Sequence, residues 1–146
     1  MEVIIGSDHA GFPLKEIVKK YLIEKGIKVN DMGTYSTERC DYPDFAEKVA
    51  REVVKTGKKG ILVCGSGIGI SIAANKINGV RCALCHDHYT AVMCRRHNDA
   101  NIIAFGARVI GSDIATDMVD VFLSTPFDGM QHTARVEKIH KLEQNH

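Results

Sequence analysis

The feature that most narrows the folds open to this chain is a strict alternation of short apolar runs with longer stretches of helical spacing. Apolar runs of strand length fall at residues 3–5, 61–64, 80–84 and 101–105, the third interrupted by Arg81, and a weaker one lies at 27–31. Between them Phe12, Leu14, Ile17, Val18, Tyr21 and Leu22 recur with helical period, as do Phe45, Val49, Val53 and Val54. Residues 68–76 and 89–96 form two further helical stretches, followed by Ile114, Met118, Val119, Phe122 and Leu123. Pro13 and Pro43 suit first helical turns, and Gly26 and Gly57 suit helix ends. Uninterrupted apolar strands need cover on both faces, which alternating helices supply. The expectation is an α/β protein, a three-layer α/β/α sandwich with a mainly parallel, Rossmann-like sheet of about five strands. A single domain spans 1–146. Its last helix, 129–146, carries Val136, Ile139 and Leu142 on one stripe and suits packing on a partner subunit.

Composition excludes several function classes. With 45% hydrophobic and 25% charged residues and a net charge of +1, the chain is neither disordered nor a general polyanion binder, so no nucleic acid partner is expected. No apolar run approaches the roughly 20 residues of a membrane span, so no membrane association is expected. The five cysteines are odd in number, and the chain opens directly on the strand-like "MEVIIG" without a signal-peptide pattern. A cytoplasmic protein with free thiols is expected.

In parallel α/β sheets, chemistry collects where strand carboxyl ends meet helix starts. After the third strand stands "CGSGIG". Gly65 and Gly67 fit the first two glycines of a dinucleotide fingerprint, but Ile70 occupies the third position and no phosphate-loop lysine follows. What remains is a backbone free to turn tightly and to aim N–H groups at an anion. Cys64 sits at its mouth. Helix N-termini draw thiols toward thiolate, whereas a strand cysteine is commonly a small buried hydrophobe, and position alone leaves both readings open. A thiolate beside oriented N–H groups can attack an electrophilic carbon, or remove a proton alpha to a carbonyl while the loop and Ser66 stabilise the oxyanion.

After the first strand, Asp8 and His9 can bind hydroxyls and phosphate, or Asp8 can simply cap the helix that follows. Cys82, Cys85, His86, His88, Cys94 and His97 invite a zinc reading. Residues three apart on a strand face opposite sides, and no second Cys-x-x-Cys closes the site, so no metal is expected. His97 and Asn98 end a helical stretch, where a histidine can exchange protons or merely be solvated. Arg108 follows the fifth strand, and "QHTAR" sets Gln131, His132 and Arg135 at the start of the last helix. Gln131 and Arg135, four apart, can reach one ligand.

The segments "SDHAG", "DYPDFA", "CGSGIGISIAANK", "RCALCHDHYTA", "RHNDANI" and "STPFDG" occur in the order and spacing of a known family, and over nearly its whole length the chain resembles the ribose-5-phosphate isomerase B family. That group also includes galactose-6-phosphate and allose-6-phosphate isomerases. The resemblance implies an aldose–ketose isomerase working on D-ribose 5-phosphate and D-ribulose 5-phosphate with no metal or organic cofactor. By it, Cys64 is the base that moves a proton between carbons 1 and 2 through a cis-enediolate. Gly65, Ser66, Gly67, Ile68 and Gly69 hold the enediolate oxygens. His97 helps open the ring, Asp8 contacts hydroxyls, Asn98 meets the reacting end, and Tyr42 lines the pocket. His9, Arg108 and Arg135 hold the phosphate, with Gln131 and His132 beside them. A homodimer sharing its pockets is implied, pairing in some cases into a tetramer.

Many members read Arg-His-x-x-Arg where this chain begins with Gln131, which brings no charge to the phosphate. Members without the loop cysteine use a glutamate a few residues later, but residues 70–75 here contain no acid, which favours the thiol. The alternatives are a hexose-6-phosphate isomerase and a non-catalytic phosphosugar-binding domain.

Overall fold

Strands and helices alternate from end to end: β1 (Glu2–Ser7), α1 (Phe12–Glu24), β2 (Lys28–Asp31), α2 (Tyr42–Thr56), β3 (Lys59–Cys64), α3 (Ile68–Ala74), β4 (Cys82–Leu84), α4 (His88–Arg96), β5 (Ile102–Gly106), α5 (Ser112–Ser124) and α6 (Gln131–Glu143). This computed structural model describes residues 1–143; Gln144, Asn145 and His146, assigned by sequence to the last helix, lie outside the described residues. Pro13 stands in the first turn of α1, and Gly57 ends α2 in the left-handed conformation.

All four strand pairings are parallel, in the order β2-β1-β3-β5-β4. The chain steps one way through α1 and α4 and the opposite way through α2 and α3. Crossovers of one hand then require the two pairs to lie on opposite faces. Val3, Ile5, Ile61, Val63, Ile103 and Phe105 accordingly pack on Leu14, Val18 and Leu22 of α1, Ala91 of α4, and Met118 and Phe122 of α5. Ile4, Leu62, Ile102 and Ala104 pack on Ala46, Val49, Ala50 and Val53 of α2 and on Ile70 and Ala74 of α3. Each fully buried Ile, Leu or Val stabilises by about 1.5–3 kcal/mol relative to an exposed one.

The expected stripes are wider than the buried ones. Ile17, Val54 and Ile114 are exposed, each lying beside the residues that α1, α2 and α5 bury. The run at 80–84 yields a strand of three residues. The side-chain oxygen of Asn101 takes the Arg81 N–H at 2.8 Å in place of a ladder partner, delaying the strand. Helix α6 buries none of its side chains.

One charged pair is interior. Lys15 on α1 is completely buried, and its ammonium donates to both carboxylate oxygens of Asp31 at 2.7 Å. Asp31 ends β2 and also accepts from Lys19 at 3.1 Å and from the Gly33 N–H at 2.9 Å, which fixes the start of the connection to α2 and Tyr42. Burial alone raises the Asp31 pKa, but the hydrogen bonds from Lys15, Gly33 and Lys19 and the Lys15 charge outweigh it and hold the carboxyl below the ordinary carboxylate range. A depressed carboxylate contributes stability that is present above the unfolded pKa of about 3.9 and is lost as pH falls through the folded value. Lys15→Ala, which leaves the buried carboxylate only Lys19 and the Gly33 N–H, is expected to cost about 3 kcal/mol in urea denaturation at pH 7, and this cost should shrink on acidification below about pH 4. A pH-independent cost would show that the pair's charge is irrelevant.

Candidate active site

Sheet directionality brings the ends of β1, β3 and β5 to one edge, and the order reverses between β1 and β3, where a crevice must open. A cleft of about 550 Å³ lies there. Asp8, His9 and Ala10 after β1 line it, with Cys64, Gly65, Ser66, Ile68 and Gly69 after β3, Arg108 and Val109 after β5, and Tyr42 at the start of α2.

Cys64 is the last residue of β3 and only 4% exposed. Its Sγ accepts the Gly67 N–H at 3.1 Å, an interaction that strengthens when the sulfur carries charge. Gly67 has φ +80°, and a β-carbon there would stand 2.6 Å from Leu84 and 2.7 Å from the Phe105 backbone. A β-carbon on Gly69 would meet the Tyr42 ring at 2.5 Å. The glycines therefore let the loop lie flat between β5 and Tyr42, a requirement of backbone conformation and of space. Two loop amides are engaged internally, Gly67 on Cys64 Sγ and Ile68 on Ser66 Oγ at 3.1 Å. The Ser66 and Gly69 amides have no hydrogen-bond acceptor among the described residues.

Asp8 does not cap α1, whose N-cap is Gly11 without a side-chain cap; its Oδ1 accepts the Gly11 N–H at 2.9 Å in the turn before the helix, and the residue borders the cleft. His9 Nδ1 lies 3.2 Å from both the amide N and the carbonyl O of Cys40. With the Cys40 N–H as donor, Nδ1 is the acceptor and the ring proton sits on Nε2. Among the described residues Arg108 forms no salt bridge, which leaves its forked donors for an anion.

The remaining expected residues do not reach this cleft. Helix α4 runs against the strands, so His97 and Asn98, which feed β5, belong to the sheet's amino edge. There the His97 ring stacks on His132 of α6, centroids 4.3 Å apart and planes 13° apart. Asn98 lines a separate groove of about 300 Å³ with Arg81 and Ile139. Gln131 and Arg135 are exposed on the first turns of α6. Sequence reasoning missed Asp128, which joins His97 and His132 with ligand atoms all within 4.8 Å of one another. That trio alone, among the described residues, has the spacing to hold a metal ion, although the Arg96 Nε already meets both Asp128 oxygens at 3.2 and 3.3 Å. Missed too was Cys40, whose contact with His9 spans 31 residues and leaves no local signal.

The other thiols sort by face. Cys82 packs on the α2/α3 side and Cys85 and Cys94 on the opposite side, so the rejected zinc set is split by the sheet. Burial pushes the Cys82 thiol pKa up, and a hydrogen bond with Cys85 followed by burial pushes Cys94 up. All five cysteines are free.

The family model for ribose/galactose isomerases matches residues 3–139. The chain belongs to the ribose/galactose isomerase family. It is 46% identical over 144 residues to ribose-5-phosphate isomerase B of Escherichia coli strain K12, covering 98% of this chain and 97% of that one. Among solved structures it is similar to ribose-5-phosphate isomerase B of Clostridium thermocellum, with a TM-score of 0.96, 50% identity and 99% of each chain covered. The Thermotoga maritima ribose 5-phosphate isomerase gives a TM-score of 0.94 and 51% identity, covering 96% of this chain and 97% of that one. The family's α/β Rossmann-like fold is thus the fold described above.

Raised pKa values make Cys82 and Cys94 poor nucleophiles, since the thiolate is the reactive form. Iodoacetamide at pH about 8 should leave both unmodified in the folded protein, as read by peptide mass spectrometry. Alkylation of Cys94 at the rate seen in urea would contradict the burial assigned to it.

Proposed function

We propose that this protein is a ribose-5-phosphate isomerase that interconverts D-ribose 5-phosphate and D-ribulose 5-phosphate through a cis-enediolate, with Cys64 as the base. The observation that carries this reading is the Cys64 thiol with a backbone N–H on its sulfur, at the mouth of a cleft that also holds an arginine without an ion-pair partner among the described residues. In the open-chain aldose, the thiolate takes the proton from C2. Electrons move onto the carbonyl oxygen at C1, and the Ser66 and Gly69 amides stabilise the oxyanion. The thiol returns its proton to C1 as the C2 oxygen becomes the carbonyl, and the hydroxyl proton passes from O2 to O1. The step balances internally, so it needs no cofactor. His9 and Arg108 serve the phosphate, a remote handle whose binding energy orients the reacting carbons.

His97, Asn98, His132 and Arg135 belong to the opposite edge of the sheet from Cys64, so they serve this chemistry from a second copy. The reading therefore includes a homodimer in which the amino-edge cluster of one subunit completes the carboxyl-edge cleft of the other, with His97 opening the sugar ring. The exposed Ile68, Ile72, Ile139 and Leu142 supply apolar surface for such pairing. Free thiols, and the absence among the described residues of any helix long and apolar enough to cross a membrane, support a cytoplasmic setting. A hexose 6-phosphate is the alternative substrate, because Gln131 brings no charge to the phosphate end.

Cys64→Ala is expected to lower kcat by about 10²–10⁴ while retaining binding of a phosphorylated sugar acid; unchanged turnover would remove Cys64 as the base. His97→Asn should impair ring-closed more than open-chain substrate. Mixing the two variant homodimers should restore about a quarter of parental activity on ring-closed substrate, since half the dimers then hold one intact site. No recovery after subunit exchange would defeat the shared pocket. Faster turnover of allose 6-phosphate than of ribose 5-phosphate would favour the hexose reading.

A further inference from the structure

The charge that breaks the apolar run at 80–84 takes no part in the chemistry above, yet its side chain bonds both the turn before β5 and helix α6. Arg81 Nε donates to the Asp99 carbonyl at 2.8 Å, one terminal nitrogen lies 3.5 Å from the Asp99 carboxylate, and the other lies 2.6 Å from His140 Nε2 on α6. Asp99 closes the turn that carries His97 and Asn98, and it does so at φ +48°, a strained conformation for a residue with a β-carbon. Arg95 holds the same turn, donating to Asp99 Oδ1 at 2.8 Å and to the Ala100 carbonyl at 2.7 Å.

A guanidinium has only donors, so His140 Nε2 must accept, and the imidazole is neutral with its proton on Nδ1. That proton points to Glu143 Oε1 at 3.0 Å, which also accepts the Gly79 N–H at 2.8 Å. The Gly79 N–H, and after it His140, holds the Glu143 carboxyl below the ordinary carboxylate range, which keeps it an acceptor. Because α6 buries no side chain, this polar chain does the fastening that core contacts do for the other helices.

We infer that Arg81 is a positioning residue that locks the His97–Asn98 turn and helix α6 into one rigid half-site, with neutral His140 as its releasable latch. The inference rests on the isomerase reading for its kinetic consequence only. Acidification that protonates His140 sets a second cation against Arg81 and frees the far end of α6. Lys141, the next residue of α6 and a lining residue of the same groove, adds to that repulsion, whereas Glu137, Glu143 and, through Arg81, Asp99 oppose it.

Hydrogen exchange and steady-state kinetics on Arg81→Gln, His140→Ala and His140→Gln test this. In Arg81→Gln, amides of residues 97–101 and of α6 should exchange about tenfold faster together, with β1 and β3 unchanged. Both KM and kcat should suffer, because α6 carries the phosphate contacts and the turn carries His97. In His140→Ala only α6 should loosen, and KM should rise about tenfold with kcat within about twofold. His140→Gln keeps a neutral acceptor, so it should restore KM at pH about 8 and show a smaller rise in KM than the parent at pH about 5.5. Unchanged exchange in either segment of Arg81→Gln, a kinetic loss that merely tracks the folded fraction, or no effect of His140→Ala on KM would overturn the inference. Failure of the isomerase reading would register separately, in the parent's own turnover, and leave the exchange result standing.

Discussion

A parallel sheet has two unlike edges, and every other property of this molecule follows from that. All five strands point the same way, so the loops after β1, β3 and β5 open at one edge and the turn that enters β5 lies at the other. Backbone donors and small residues gather at the carboxyl edge, around Cys64. Imidazoles and the start of α6 gather at the amino edge, around the His97–His132 stack. Neither edge holds the whole set of residues that the proposed chemistry uses, which is a physical reason for two copies to act together.

Within the cleft, the proposed catalysis and the packing make the same demand of the glycine loop. Gly67 allows a left-handed turn that seats its N–H on Cys64 Sγ, and the same missing side chain lets the loop rest against Phe105 and Leu84. Gly69 admits the Tyr42 ring. The loop is therefore fixed from three sides, which suits a site whose donors must already be aimed before charge develops.

Buried and half-buried charges frame both edges. Lys15 and Asp31 anchor the connection that delivers Tyr42, and Arg81 and Arg95 anchor the turn that delivers His97. An unpaired buried charge is expensive, so each pair has one arrangement that satisfies it, and the backbone around it inherits that arrangement.

The order of elements, the two-faced sheet, and the pairing of Cys64 with a glycine turn were legible in the sequence, because hydrophobic period, proline and glycine punctuation, and strand-end motifs are local signals. The expected strand at 80–84 came out shorter because Asn101, twenty residues from Arg81, takes its N–H. Lys15 with Asp31, sixteen residues apart, and Arg81 with His140, fifty-nine apart, left no trace in any window. Their partners are chosen by strand order and helix placement. The sequence by itself determined which side chains are candidates for the chemistry. Only the tertiary structure decided that Cys64 and His97 lie at opposite edges of one sheet, because strand direction, unlike residue identity, is settled when distant segments pair.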